Sequence, residues 1–271
     1  MKLHFEEPWP PLKGYIDKIW VLETDCGLPQ DDMKMLVPDG RMLLLIPMRN
    51  GLLGKMDGRD YIAHEGAMSL VGVGECPSMV DAQNDTALGV IGVDFTAQGA
   101  YRFFQWRLKE ISNRLYLLAD ILGKTVKHIE EKIIDSKNIG EKLQVVQQFL
   151  FNLFTIKGPD PVFEYCIQQI QSTKGSVSVK ELEQQTGYSS RWLNRKFEER
   201  LGISPKNFSS IARFQHYYHA LLTNASRVLK HKDFYDHYYD ESHFIREFKR
   251  FTGMPPAKLE NAVNNFGKLF I

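Results

Sequence analysis

No stretch of this chain approaches the roughly 18 consecutive apolar residues that would carry a helix across a bilayer. Its opening, Met-Lys-Leu-His-Phe-Glu-Glu-Pro-Trp-Pro, lacks the apolar core of a secretion signal. Cysteine is scarce: Cys26, Cys76 and Cys166 fall at no paired or metal-ligating spacing. A disulfide framework is therefore not expected, and a reducing cytoplasm is the expected compartment. Histidine is thin in the first two thirds, where only His4, His64 and His128 occur and none forms a closely spaced ligand pair. That argues against the clustered His and carboxylate ligands of a metal-dependent enzyme. There is no Gly-x-Ser-x-Gly elbow and no Gly-rich phosphate loop carrying Lys and Ser or Thr. No metal, no cofactor and no catalytic activity are implied.

Charge of one sign is also missing overall, since the formal net charge is only +1. Its distribution is uneven. Residues 175–271 hold 15 Lys and Arg against 10 Asp and Glu, whereas the rest of the chain holds 19 against 23. A basic C-terminal third is the electrostatic footprint that a phosphate backbone requires. With 43% apolar and 25% charged residues over 271 positions, the composition is that of one or two ordinary globular domains.

What is present is a duplication. Arg195-Lys196-Phe197, then Gly202, Pro205 and Phe208, is answered 51 residues later by Arg246-Glu247-Phe248, then Gly253, Pro256 and Leu259. Each copy reads as the second helix of a helix-turn-helix and its exit. In the first, Gly187 supplies a turn, Ser189 an N-cap, and Trp192, Leu193 and Phe197 an apolar stripe, so that Arg191, Asn194 and Arg195 lie off the stripe. In the second, Asp240 is the cap and Phe244, Ile245 and Phe248 supply apolar positions, leaving Glu241, Ser242, His243 and Arg246 polar. Ser204-Pro205 opens a linker helix with the stripe Phe208, Ile211, Phe214, Tyr218 and Leu221. Two such units on one rod suit successive major grooves of a duplex, about 34 Å apart. Arg and Asn can make bidentate bonds to guanine and adenine there.

The runs Gly-Tyr-Ser-Ser-Arg-Trp-Leu-Asn-Arg-Lys-Phe (187–197), Leu-Gly-Ile-Ser-Pro (201–205) and Tyr-Tyr-Asp-Glu-Ser-His-Phe-Ile-Arg-Glu-Phe-Lys-Arg-Phe-Thr-Gly-Met-Pro-Pro (238–256) resemble the DNA-binding domain of AraC/XylS-type transcription regulators. The resemblance implies base and phosphate contacts from Arg191, Asn194 and Arg195 in the first reading helix. In the second it implies contacts from Glu241, Ser242, Ile245 and Arg246. Two departures stand in this sequence: Glu183 and Asp233 occupy positions where the family has small residues, and His237 replaces the second turn glycine.

The first part of the chain reads as β structure. Short apolar or alternating runs at 19–22, 34–37, 42–46, 68–71 and 88–95 are separated by Pro38-Asp39-Gly40, Asn50-Gly51 and Asp57-Gly58. This spacing suggests a sandwich or barrel. The family resemblance implies a cupin-like effector or dimerisation domain. Trp20, Asp39, Tyr61, His64 and Phe95 could line a pocket there, although aromatic residues at such positions more often form core; effector-binding residues are unassigned. Between the two ends, Leu115, Leu118, Leu122, Val126, Ile129 and Ile133 recur at helical spacing, as do Leu143, Val146, Phe149, Leu150, Leu153 and Phe154, and a further helix is expected at 162–171.

The expected fold is therefore α+β: a β-barrel, cupin-like sensor domain (1–110), a helical connector (111–174), and an all-α domain of two helix-turn-helix units joined by a linker helix (175–271). The expected function is a sequence-specific transcription regulator of bacterial type, controlled by a small molecule. Its expected partners are double-stranded DNA, a small-molecule effector, a second copy of the chain and, for an activator, RNA polymerase; no membrane is among them. The alternative is a small-molecule binding protein or enzyme whose second unit, altered at residues 230–237, no longer supports specific recognition.

Overall fold

The computed structural model describes residues 1–104, 106–154, 158–228 and 240–270. Among these, ten strands come first or nearly so: β1 (Lys2–Glu6), β2 (Ile16–Thr24), β3 (Met35–Leu36), β4 (Leu43–Arg49), β5 (Leu52–Met56), β6 (Arg59–Ala63), β7 (Ser69–Val71), β8 (Ser78–Ala82), β9 (Leu88–Phe95) and β10 (Leu115–Leu117). They form two antiparallel sheets, one of order β1-β2-β9-β4-β7-β10 and one of order β3-β8-β5-β6. The β5–β6 hairpin turns at Asp57 (φ 51°) and Gly58 (φ 72°), the two positive angles that a tight hairpin of matching twist needs.

The larger sheet is the middle layer of the molecule, and side-chain alternation shows why. Trp20 and Leu22, Leu43 and Leu45, and Leu88 and Val90 point toward the smaller sheet and form one apolar cluster. Their neighbours Ile19 and Val21, Leu44 and Ile46, and Ile91, Val93 and Phe95 point to the opposite face and join a second cluster with the helices. A strand covered on both faces carries apolar residues without alternation. All eight residues of β9 are buried, which is why 88–95 reads as a hydrophobic run interrupted only by Asp94.

Helices α1 (Leu118–Leu122), α2 (Lys124–Asp135), α3 (Ile139–Phe154) and α4 (Pro161–Ser172) follow. The expected run from Leu115 to Ile133 is not one helix. Leu115 belongs to β10, which pairs with the free side of β7, and Gly123 at φ 70° separates α1 from α2. Sheet pairing there outweighs a helical period that the sequence alone displays. The helix expected at 162–171 forms as α4. Its N-cap Asp160 accepts the Phe163 N–H, and Pro161 at the first position lacks only a donor the helix would leave unpaired.

The remaining helices are α5 (Val179–Thr186), α6 (Ser190–Arg200), α7 (Pro205–Val228), α8 (Glu241–Thr252), α9 (Pro256–Glu260) and α10 (Asn265–Lys268). The stripe Phe208, Ile211, Phe214, Tyr218 and Leu221 of α7 is buried throughout. One cluster of buried side chains runs without a break from Leu12 and Ile91 through Phe163 to Phe197, Phe214 and Phe248. The class is α+β, with a β domain and a helical C-terminal part that share this core. Residues Asp233 and His237, and with them the altered stretch 230–237, lie outside the described residues.

Candidate nucleic-acid interface and ligand cavity

Local chemistry builds the first helix-turn-helix. Ser178 and Glu181 form a reciprocal capping box that starts α5, with Glu181 N–H donating to the serine oxygen (3.2 Å) and Ser178 N–H to the glutamate (2.7 Å). Gly187 ends α5 in the left-handed region (φ 74°), where a Cβ would be strained. Ser189 then caps α6. Leu182, Leu193 and Phe197 are buried between the two helices and their neighbours. Trp192, placed on the apolar stripe by spacing, is only half-buried; its ring stacks on Tyr188 at 4.1 Å and lies under the Lys196 ammonium at 4.7 Å. Glu183, where a small side chain is usual, is accommodated by turning its carboxylate to the Ser190 hydroxyl (2.5 Å).

Arg191 and Arg195 stand one turn apart on the exposed face of α6, and among the described residues neither makes an ion pair. Asn194 is half-buried and donates from Nδ2 to the Ser190 carbonyl (2.8 Å), which occupies part of its amide. On α8, which Asp240 caps by accepting the His243 N–H (2.6 Å), Glu241, Ser242, Ile245 and Arg246 are all exposed and share one face. The structure thus brings the seven expected contact residues into two groups, one on each helix. Phe244, Phe248 and Phe251 on the opposite face of α8 are buried against Phe214 and Tyr217 of α7.

What sequence reasoning missed is the bracing behind these helices. Asp160 does more than cap α4, since its carboxylate also meets Lys196 (2.9 Å) and Arg200 (3.3 Å) on the rear of α6. Lys109 pairs with Glu198, and the Ser112 hydroxyl donates to the Gly202 carbonyl (2.6 Å). Glu75, from the β domain, accepts from Asn207 of α7 and from Arg250 of α8. None of these partners is close in sequence, and no local pattern announces them.

Between the two sheets lies a cavity of about 150 Å³. Its wall is mainly apolar, from Trp20, Leu45, Val90 and Val80 among others, and Tyr61 and Ser78 are hydrogen bonded to each other there (2.9 Å). Of the residues that could line a pocket, Trp20, Asp39 and Tyr61 do line this one; His64 is exposed, and Phe95 packs on the other face of the sheet against Phe103 and Phe104. At one side Asp94 accepts the Trp20 indole N–H (3.1 Å) and faces Lys18 (3.6 Å). Burial, with a smaller push from Asp39, raises the Asp94 carboxyl to about 6, against the opposing pull of Lys18 and the indole. Phe266 and Phe270 complete the wall from the far end of the chain. Among the described residues no group of three or more His, Cys, Asp or Glu is placed to hold a metal ion, and no helix is long and apolar enough to cross a membrane.

Comparison with known proteins adds two family matches. Residues 182–262 match a family described as a helix-turn-helix domain, and residues 4–116 match a domain of unknown function, DUF6597. No curated protein matches the chain in sequence. Among solved structures, ToxT from Vibrio cholerae is 10% identical with a TM-score of 0.48, covering 89% of this chain and 97% of that one. A second ToxT structure, from strain O395 and bound to (E)-4-(8-methylnaphthalen-1-yl)but-3-enoic acid, has the same identity of 10% and TM-score of 0.48, covering 89% and 98%. The cupin domain of Schizosaccharomyces pombe Cnp3 is 9% identical with a TM-score of 0.28, covering 35% of this chain and 66% of its own. Scores below 0.5 at such identities are too low to transfer what any of these proteins does.

Proposed function

We propose that this chain, which carries an AraC-type helix-turn-helix domain at residues 182–262, is a sequence-specific transcription regulator whose β domain takes a small-molecule effector. The observation that carries the DNA half is the pairing of two capped helices, each with its apolar face buried and a polar, exposed row opposite. Arg191, Asn194 and Arg195 read one stretch of major groove, and Glu241, Ser242, Ile245 and Arg246 the next. The functional division is a β sensor (1–110), a connector (111–174) and a DNA-binding part (175–271). The protein works in the cytoplasm and without catalysis; a homodimer and, for an activator, RNA polymerase complete the assembly.

The cavity supports the sensor half. A space of about 150 Å³ with mainly apolar walls suits a molecule the size of a single ring, and Asp94 gives it one charged or donor-seeking end. A ligand changes the DNA-binding half only through different affinities for two arrangements of the chain. The experiment is selection of sites from random duplex DNA by the full-length protein. Two enriched blocks about one helical turn apart are expected, and Arg195→Ala should cost roughly 1–3 kcal/mol at particular bases of one block. A uniform loss across all sequences would reduce Arg195 to a phosphate contact, and the absence of any enriched motif would favour a small-molecule binding protein instead.

A further inference from the structure

The C-terminal segment that follows the second helix-turn-helix unit is built into the β domain. Asn264 bonds with its carboxamide to both main-chain groups of Met35, accepting the N–H (2.9 Å) and donating to the carbonyl (2.9 Å), as a neighbouring strand would. Met35 lies in β3, an edge strand of the smaller sheet, so this contact covers an otherwise unpaired edge. Asp32 accepts the N–H groups of Asn265 (2.7 Å) and Phe266 (3.1 Å) through one carboxylate oxygen, and the Lys34 N–H (2.9 Å) through the other. Gly267 passes so close to Met35 that a Cβ would lie 2.1 Å from its carbonyl oxygen. Phe266 is 3% exposed, and the Phe270 ring meets the Trp20 indole edge-on at 4.9 Å. Lys18 joins the two sites, since its ammonium faces Asp94 (3.6 Å) and donates to the Phe270 carbonyl (3.2 Å).

These contacts belong to the same cavity assigned above to the effector. We propose that residues 264–270 are a resident plug of that cavity, whose docking holds the second helix-turn-helix unit on the β domain and whose withdrawal frees that unit to read DNA. The plug is continuous with α8 through α9, and α8 is held on the same side by Arg250 and Glu75 (3.0 Å). A molecule needing more room than the remaining space takes the place of Phe266 and Phe270, because those two rings close the wall that the strands leave open. The inference rests on the DNA-binding reading, and it adds the element through which the cavity would act.

The test uses the full chain. Phe266→Ala/Phe270→Ala removes both rings, and Asn264→Ala removes the paired bonds to the Met35 main chain together with the side-chain hydrogen bond to Tyr218. Amide exchange is followed at 261–270, to show release of the plug, and at 190–200, to show that the first unit remains folded. DNA sites are selected with the parent and with both variants, and affinities are compared on the enriched duplex. The expected result is faster exchange at 261–270, unchanged exchange at 190–200, and DNA binding about tenfold tighter for the double variant, with a smaller gain for Asn264→Ala. Equal or weaker binding by variants whose plug has been released overturns the proposal while leaving the DNA-binding reading intact. Failure of every protein to enrich a motif overturns both. Should the double variant lose protection at 190–200, Asn264→Ala alone decides.

Discussion

Helices α6 and α8 are held in different ways. α6 is braced chiefly by the connector, through Asp160 at Lys196 and Arg200 and through Phe163 packed edge-on against Phe197 at 5.1 Å, with Lys109 of the β domain adding only an exposed ion pair at Glu198. α8 is tied to the β domain itself, by Glu75 to Arg250 and through the segment that ends beside Trp20. A charge or ring that braces from a neighbouring helix fixes position, whereas one that reaches into a ligand cavity makes position depend on what fills it. On the proposed reading the first unit is the anchor and the second the one exposed to control.

The largest effect expected is at the shared core. Phe197→Ala should destabilise the chain by about 3–5 kcal/mol, because it empties a fully buried ring site between α4, α6 and α7. Denaturant unfolding measures this, and a loss below 1 kcal/mol would mean that the connector does not brace α6 through that ring.

Next comes the cavity side. The folded-state carboxyl of Asp94 titrates near 6 rather than 3.8. Between those values the folded chain keeps a proton that the unfolded chain gives up, so stability falls as pH rises through the window and the deficit persists above it. Asp94→Asn removes this dependence and should gain on the order of 2–3 kcal/mol relative to the parent on going from pH 3.5 to pH 8. Parallel denaturation curves for the two proteins at both pH values would refute it.

Asp160→Asn keeps an N-cap for α4 but removes the charge facing Lys196 and Arg200. A loss of about 1–2 kcal/mol is expected for these partly buried pairs, with weaker protein contribution to the DNA block read by α6. Amide exchange should quicken in α6 and not in α8; the reverse pattern would erase the distinction between the two units. Smallest is Glu75→Gln, which weakens the Arg250 contact and should change stability by roughly 0.5 kcal/mol, since Arg250 is well exposed. Its exchange signature should appear in α8 and at the start of α7, where Asn207 donates to the same carboxylate oxygen.

Much of the helical part was legible from local pattern. The caps at Ser189, Ser204 and Asp240, the glycine turn at 187 and the buried stripe of α7 all rest on residues within a turn or two of each other. Strands β2, β3, β4, β7 and β9 were visible as apolar runs, but β5, β6 and β8 were not, because each buries only part of a face and carries charged or small residues between its apolar ones. Leu115 was misplaced for the opposite reason: its spacing suits a helix, while an open strand edge beside it offered main-chain bonds that spacing does not reveal.

The sequence by itself determined the duplicated helix-turn-helix pattern, the polar rows of α6 and α8, and the β character of the first part, since these depend on periodicity and on capping chemistry between near neighbours. Only the tertiary structure decided that Asp160 stands behind α6, that Glu75 reaches α8, and that Phe266 and Phe270 finish a cavity begun by Trp20. Those pairings join residues as much as 250 positions apart, from Trp20 to Phe270, and a contact of that separation is set by how layers pack, not by any short-range preference of the chain.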